Sequence, residues 1–159
     1  PTSVWRLEIA GLVEHPQTWS FDNLMAEPQV EFVSDIHCVT SWSRYDNHWD
    51  GVSTRHLIEK VGVQSAATHV LFQSNDGYTT NMTMEDFASE AALVAHSWEG
   101  MPLTLEHGGP VRLVVPHLYF WKSPKWLKKI EFVDKDHKGF WEIRGYHNHA
   151  DPWKEERYS

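Results

Sequence analysis

The chain has 159 residues, of which 41% are hydrophobic and 23% charged, a composition typical of one globular domain and not of a disordered segment. No apolar run approaches about 20 residues, the length of a membrane-spanning helix, and the first residues lack a signal-peptide pattern. The formal net charge of −8 argues against a broad nucleic-acid-binding surface, which needs clustered Lys and Arg.

In chain order the sequence predicts a strand over Val4–Ala10, a helix over Ser20–Glu27, a strand over Val30–Ile36, a helix over Ser53–Val61, strands over Thr68–Gln73 and Tyr78–Met82, a helix over Thr83–Glu90, and strands over Ala92–Trp98, Val111–Val115 and Trp126–Val133. Pro28 ends the first helix. Ser53 caps the second, which has helical apolar spacing and stops at Gly62, and Thr83 with Asp86 makes a capping box at the start of the third. No helix is long enough for regular βαβ crossovers. The predicted fold class is therefore α+β, with mixed, mainly antiparallel sheets and short helices.

The single cysteine, Cys38, follows the predicted strand Val30–Ile36 and opens into a polar loop. A lone thiol cannot form an internal disulfide, so Cys38 is either a packed apolar side chain or a chemically active group. Strand ends that open into loops are common places for reactive groups. The residues by themselves leave both interpretations open.

Two later segments have residues suited to binding a ligand. The run 107–116 reads HGGPVRLVVP, in which two glycines let the backbone approach a ligand closely and Arg112 is the only charge in an apolar strand. A buried arginine must be paired, with a planar anion or carbonyl group or in a structural salt bridge. The run 121–126 reads WKSPKW, and its hydroxyl and two ammonium groups suit a phosphate.

These three segments, in this order, resemble the molybdopterin-binding domain of the sulfite oxidase family over most of the chain. The resemblance rests on Cys38-Val39-x-x-Trp42-Ser43, on the run 107–116, on Lys125 thirteen residues after Arg112, and on Trp141 and Tyr146 in a Trp-x4-Tyr spacing. The cysteine run is most similar to the branch that contains the bacterial methionine-sulfoxide reductase catalytic subunit. We expect one domain over residues 1–159, with a short or trimmed N-terminus because the chain starts at Pro1.

The resemblance implies molybdenum held by molybdopterin, with Cys38 as the metal ligand and with Cys38 and Tyr146 as catalytic residues. The cofactor-binding residues that it implies are His37, Cys38, Ser74, Asp76, His107, Arg112, Ser123 and Lys125. Lys122 is an additional donor to the phosphate. The implied reaction is two-electron oxygen-atom transfer on a small substrate, a sulfur compound. Trp42 and Ser43 replace the adjacent arginines of sulfite oxidase, which argues against sulfite itself.

The expected partners are a small-molecule substrate and a separate electron-transfer protein, because these 159 residues contain no haem-attachment motif and too few cysteines for an iron–sulfur cluster. No nucleic acid and no membrane span are expected, and the compartment is cytoplasmic or periplasmic. Two alternatives stay open at this point. One is a cofactor-free module that binds or carries molybdopterin, and the other is a cysteine-nucleophile enzyme that uses Cys38 and His37.

Overall fold

The computed structural model describes residues 2–37, 43–115 and 123–135, with the backbone alone at 34–37 and 43–47. Three helices and ten strands lie in these ranges, in the order β1 (Arg6–Gly11), β2 (Gln17–Ser20), α1 (Phe21–Ala26), β3 (Val30–His37), β4 (Ser43–Ser53), α2 (Thr54–Val61), β5 (His69–Ser74), β6 (Thr79–Thr83), α3 (Met84–Phe87), β7 (Leu93–Trp98), β8 (Met101–Pro102), β9 (Arg112–Val114) and β10 (Leu127–Val133). Every predicted helix and strand has a counterpart. Strands β2, β4 and β8 were not predicted.

The helices begin where the sequence predicts because their capping side chains satisfy the first backbone N–H groups. The hydroxyls of Ser20, Ser53 and Thr83 accept these N–H groups at the starts of α1, α2 and α3. Helix α2 ends at Gly62, which adopts a left-handed conformation. The predicted end of α3 at Glu90 was wrong, because the chain turns after Phe87 and enters β7.

The strands form two five-stranded sheets. The first sheet has the order β2-β1-β10-β5-β6, and its β1–β10 pair is parallel. The second sheet has the order β3-β4-β7-β8, and β9 also pairs with β7. All other strand pairs in the described ranges are antiparallel. The predicted α+β class with mixed, mainly antiparallel sheets is confirmed.

Strand β9 separates two apolar regions of the protein. Leu113 of β9 and the flanking residues Val111 and Val115 belong to the main core, to which both sheets contribute. Because side chains alternate along a strand, Arg112 and Val114 face the opposite side. There, a smaller cluster contains Trp49, Leu93, Ala95, Leu103 and Val114. No helix in the described part of the chain is long and apolar enough to cross a membrane.

Candidate cofactor-binding site

The loop before β9 approaches its neighbours so closely that two of its positions require glycine. Gly108 has a φ of +99°, and a Cβ there would lie 2.8 Å from the Cγ of Lys125. A Cβ on Gly109 would lie 2.1 Å from the carbonyl oxygen of Leu103. Both distances are shorter than non-bonded atoms tolerate. A larger residue at either position would therefore force the loop or its neighbour to move. The close neighbours of these glycines are other parts of the protein, and the predicted approach of this backbone to a ligand stays a prediction.

Arg112 is the largest fully buried side chain described, with 1% of its surface exposed. Its guanidinium donates to the carbonyl oxygens of Ser123 at 2.7 Å and His107 at 3.1 Å, and it lies 5.5 Å from the ring centre of Trp49. Burial lowers the pKa of Arg112 to about 9, so the side chain is a cation at neutral pH. The sequence left open whether Arg112 pairs with a planar anion, a carbonyl group or a salt-bridge partner. The structure shows hydrogen bonds from Arg112 to carbonyl groups.

The turn at Ser123–Lys125 lies directly beside the glycine loop. The Ser123 hydroxyl accepts the backbone N–H of Val115 at 2.9 Å, which leaves the hydroxyl proton able to donate to a ligand. The Lys125 ammonium donates to the carbonyl oxygen of Glu106 at 3.1 Å and lies 5.7 Å from the ring centre of Trp126. A hydroxyl donor and an ammonium group therefore meet at one edge of the loop.

Ser74 and Asp76 stand at the end of β5, next to the same turn. Ser74 pairs with Leu127 in the sheet, and the N–H of Asn75 donates to the carbonyl oxygen of Trp126 at 2.8 Å. Ser74 is 1% exposed, and its hydroxyl oxygen has no hydrogen-bond partner among the described residues. Asp76 is exposed, and its carboxylate accepts the N–H of Tyr78 at 3.1 Å. Unsatisfied buried polar atoms are unusual, and among the described residues Trp49, Thr80 and Ser89 have one as well. What distinguishes Ser74 is its place beside the turn that contains Lys125.

His107 lies on the exposed surface of the glycine loop. Its ring centre is 4.8 Å from that of Trp98, and its Nδ1 is 3.0 Å from the Thr104 hydroxyl. The sequence did not single out Trp49, Trp98 or Thr104. Trp49 lies in β4, far from His107 and Arg112 along the chain, and Trp98 and Thr104 precede His107 in a segment with no recognised motif.

The structure does not describe the side chains of four predicted site residues. Cys38 and Tyr146, together with Lys122, lie outside the described residues. His37 is the last residue of β3, and its backbone pairs with Ser43 at the start of β4. Residues 38–42 therefore connect two antiparallel strands. The metal-binding role of Cys38 and the catalytic role of Tyr146 stay predictions.

The sheets and the loop-and-turn arrangement are compatible with a molybdopterin-binding oxidoreductase domain, and a family comparison establishes this class of protein. The profile of the family described as "Oxidoreductase molybdopterin binding domain" matches residues 1–141. The chain belongs to this family, and the predicted membership of the sulfite oxidase group is confirmed. The chain is an enzyme domain, and molybdenum with molybdopterin is its cofactor.

Three curated relatives illustrate the match. The uncharacterized oxidoreductase YuiH of Bacillus subtilis (strain 168) is 49% identical over 155 residues, covering 98% of this chain and 78% of the relative. A putative protein-methionine-sulfoxide reductase subunit, YedZ1, of Azospira oryzae is 32% identical over 142 residues, covering 89% and 54%. The protein-methionine-sulfoxide reductase catalytic subunit MsrP of Ralstonia nicotianae is 28% identical over 169 residues, covering 93% and 51%. The chain spans about half the length of the latter two.

Among solved structures, the sulfane dehydrogenase SoxCD from Paracoccus pantotrophus matches with a TM-score of 0.77 at 23% sequence identity. The match covers 85% of this chain and 39% of that chain. At this identity the likeness shows the fold.

The described residues fit a phosphorylated pterin cofactor. The buried Ser74 hydroxyl has an unused hydrogen-bonding capacity, and Gly108 lets the loop pack directly against Lys125. Ser123 and Lys125 supply the hydroxyl and ammonium donors that phosphate prefers. The structure thus brings six of the predicted residues together around the loop and the turn: Ser74, Asp76, His107, Arg112, Ser123 and Lys125.

Proposed function

We propose that this chain catalyses two-electron oxygen-atom transfer on a small sulfur compound, as one domain over residues 1–159. The observation that supports the proposal is the pair of hydrogen bonds from Arg112 to the carbonyl oxygens of His107 and Ser123. This one buried side chain joins the two segments that the family resemblance assigns to the pterin. Relatives named for protein-methionine-sulfoxide reductase support a sulfur substrate.

Each described residue has a defined role in this proposal. Ser123 and Lys125 hold the cofactor's phosphate, because a hydroxyl and a positively charged ammonium group lie in the same turn. Ser74 donates to, or accepts from, the pterin and so satisfies its buried hydroxyl. Arg112 fixes the shape of the loop and adds a buried positive charge, which favours an anionic ligand. When bound, the molybdenum–pterin group supplies the two-electron oxygen-atom chemistry.

The undescribed residues complete the proposal. Cys38 provides a thiolate, a soft ligand suited to a metal already held by sulfur atoms. Tyr146 hydrogen-bonds at the metal, as the resemblance implies. A separate electron-transfer protein accepts or supplies electrons, because this chain has one cysteine and therefore no ligand set for an iron–sulfur cluster.

The test is to purify the chain from molybdenum-replete cells and to measure molybdenum, pterin and turnover with methionine sulfoxide as the substrate and a reduced dye as the electron donor. We expect roughly one molybdenum and one pterin per chain, a stoichiometry set by the single thiolate ligand. Cys38→Ser should abolish turnover while circular dichroism and the unfolding midpoint stay those of the wild type. Full activity of this variant would contradict the ligand role.

The same measurements separate the alternatives. Turnover that depends on the thiol, in protein that contains no molybdenum, indicates the cysteine nucleophile instead. Protein that takes up pterin but shows neither metal nor turnover indicates the carrier module. Turnover with a substrate that contains no sulfur, and none with methionine sulfoxide, would overturn the proposed substrate class alone.

A further inference from the structure

The His107 ring is held from two sides although its loop is exposed. One face of the ring packs on Trp98, with ring centres 4.8 Å apart and planes inclined by 32°. On its edge, Nδ1 lies 3.0 Å from the hydroxyl oxygen of Thr104. A histidine on a surface loop normally samples several rotamers, so two such contacts restrict it at an entropic cost. This restriction indicates that the ring's direction matters.

The support behind His107 is rigid. Trp98 lies in β7 opposite Trp49 of β4, and the two ring centres are 6.2 Å apart. Trp49 is buried and lies against the Arg112 guanidinium. The distance from the centre of its ring to the Cζ atom of Arg112 is 5.5 Å. Arg112 in turn donates to the carbonyl oxygen of His107. The backbone and the ring of His107 are thus held by one connected set of contacts, which leads from the exposed ring to the buried Trp49 and Arg112.

The contact at Nδ1 links the Thr104 hydroxyl to the tautomer of the His107 ring. The backbone N–H of His107 donates to the carbonyl oxygen of Thr104 at 3.1 Å and, at 3.3 Å, also to its hydroxyl oxygen. A hydroxyl has two acceptor positions and one proton, so its proton can be donated to Nδ1. In a neutral imidazole whose Nδ1 is an acceptor, the ring proton is on Nε2.

We propose that Thr104 is a positioning residue that holds His107 as the Nε2–H tautomer, so that Nε2 donates a hydrogen bond to the bound cofactor. The inference rests on the proposed contact between His107 and the pterin. A cavity of ≈ 310 Å³ is bordered by Trp98, Thr104 and His107, so ligand-sized space adjoins the ring. Among the described residues, Nε2 has no hydrogen-bond partner that competes with a ligand.

The first experiment reads the tautomer directly, by two-bond ¹H–¹⁵N correlation spectra of the histidine rings in the full 159-residue chain. His107→Ala assigns the signal. We expect the Nε2–H tautomer in the wild type and in Thr104→Ser, which keeps the hydroxyl. Thr104→Val, which has a similar shape without the hydroxyl, should show a mixture of tautomers. An Nδ1–H tautomer in the wild type would overturn the proposal.

The second experiment measures the rate at which pterin leaves the loaded protein during dialysis. Thr104→Val should increase this rate about threefold to tenfold, the usual effect of one hydrogen bond, and Thr104→Ser should not. In a His107→Ala background, Thr104→Val should have no further effect, because its action passes through the histidine. An equal increase in both backgrounds would overturn the positioning role.

The two failures are distinguishable. If wild-type protein takes up neither molybdenum nor pterin, the proposed function fails, while the tautomer spectra still decide the role of Thr104. If pterin is bound and the Thr104 variants behave alike in both experiments, only the positioning role fails.

Discussion

The guanidinium of Arg112 donates a 2.7 Å hydrogen bond to the carbonyl oxygen of Ser123, across 11 positions of the chain. Together with its bond to His107, this contact holds the glycine loop against the turn that contains Lys125. Since burial lowers the pKa of Arg112 only to about 9, the cation persists at neutral pH. One side chain therefore couples the stability of the fold to the shape of the site.

Replacing Arg112 should lower both the stability of the protein and the amount of pterin that it binds. Arg112→Met keeps much of the volume but leaves the carbonyl oxygens of His107 and Ser123 buried without this donor. We expect a loss of about 2–4 kcal/mol in the free energy of unfolding, measured by urea denaturation. Arg6→Met, at an exposed arginine, is the control and should change it by less than about 0.5 kcal/mol. Equal midpoints for both variants would contradict the coupling.

The unsatisfied hydroxyl of Ser74 predicts opposite effects on stability and on cofactor binding. Ser74→Ala removes a buried hydroxyl without a described partner, so the cofactor-free protein should be as stable as the wild type, or up to about 1 kcal/mol more stable. Its pterin content after purification should fall. Ser89 has another such hydroxyl, and Ser89→Ala is the matched control that should leave pterin content unchanged. Equal pterin content in the two variants would remove Ser74 from the site.

The glycine at position 108 is required for two separable reasons. Gly108 and Gly77 both have positive φ, +99° and +88°, but a Cβ meets Lys125 at Gly108 and nothing within 4 Å at Gly77. Gly77→Ala should therefore lower the free energy of unfolding only through the strain that a positive φ causes in a residue with a Cβ, by about 1–2 kcal/mol. Gly108→Ala should cost more, because Lys125 or the loop must move, and it should also lower pterin content. A smaller loss of unfolding free energy for Gly108→Ala than for Gly77→Ala would contradict this prediction.

His96 predicts how stability changes with pH. Burial lowers the pKa of His96 below its ordinary value of 6.5, although the charge of Asp50 acts in the opposite direction. Its ring is within hydrogen-bond distance of Gln29 at 2.7 Å and of the Ser97 hydroxyl at 2.8 Å. Since the unfolded chain binds the proton more readily, stability should fall as the pH drops below about 6.5 and be restored above it.

Thermal unfolding midpoints between about pH 5 and about pH 8, the range in which histidine titrates, test this prediction. His96→Gln should flatten the dependence on the acid side, and the same substitution at the exposed His15 is the control. An unchanged slope in His96→Gln would show that other groups cause the loss at low pH.

Local elements of this fold could be predicted because their causes are local. Ser20, Ser53 and Thr83 cap helices by bonding N–H groups two or three residues away. Strand β4 could not be predicted, since the polar run Ser43–Ser53 has no clear alternation of apolar residues. It is a strand because β3 and β7 pair with it on both sides. Cross-strand partners, not intrinsic preference, determine such a segment.

The sequence by itself singled out the glycines, the arginine and the serine–lysine turn, because each depends on short, fixed spacings. The cysteine loop that it also singled out lies outside the described residues and stays a prediction. The sequence also determined the family. Only the tertiary structure decided that Arg112 joins His107 to Ser123, that Trp49 packs on the guanidinium, and that the hydroxyl of Ser74 is buried without a described partner. Trp49 and Arg112 are far apart along the chain, and the shorter-range contacts of Arg112 depend on how the loop and the turn fold back onto β9, which no spacing pattern specifies.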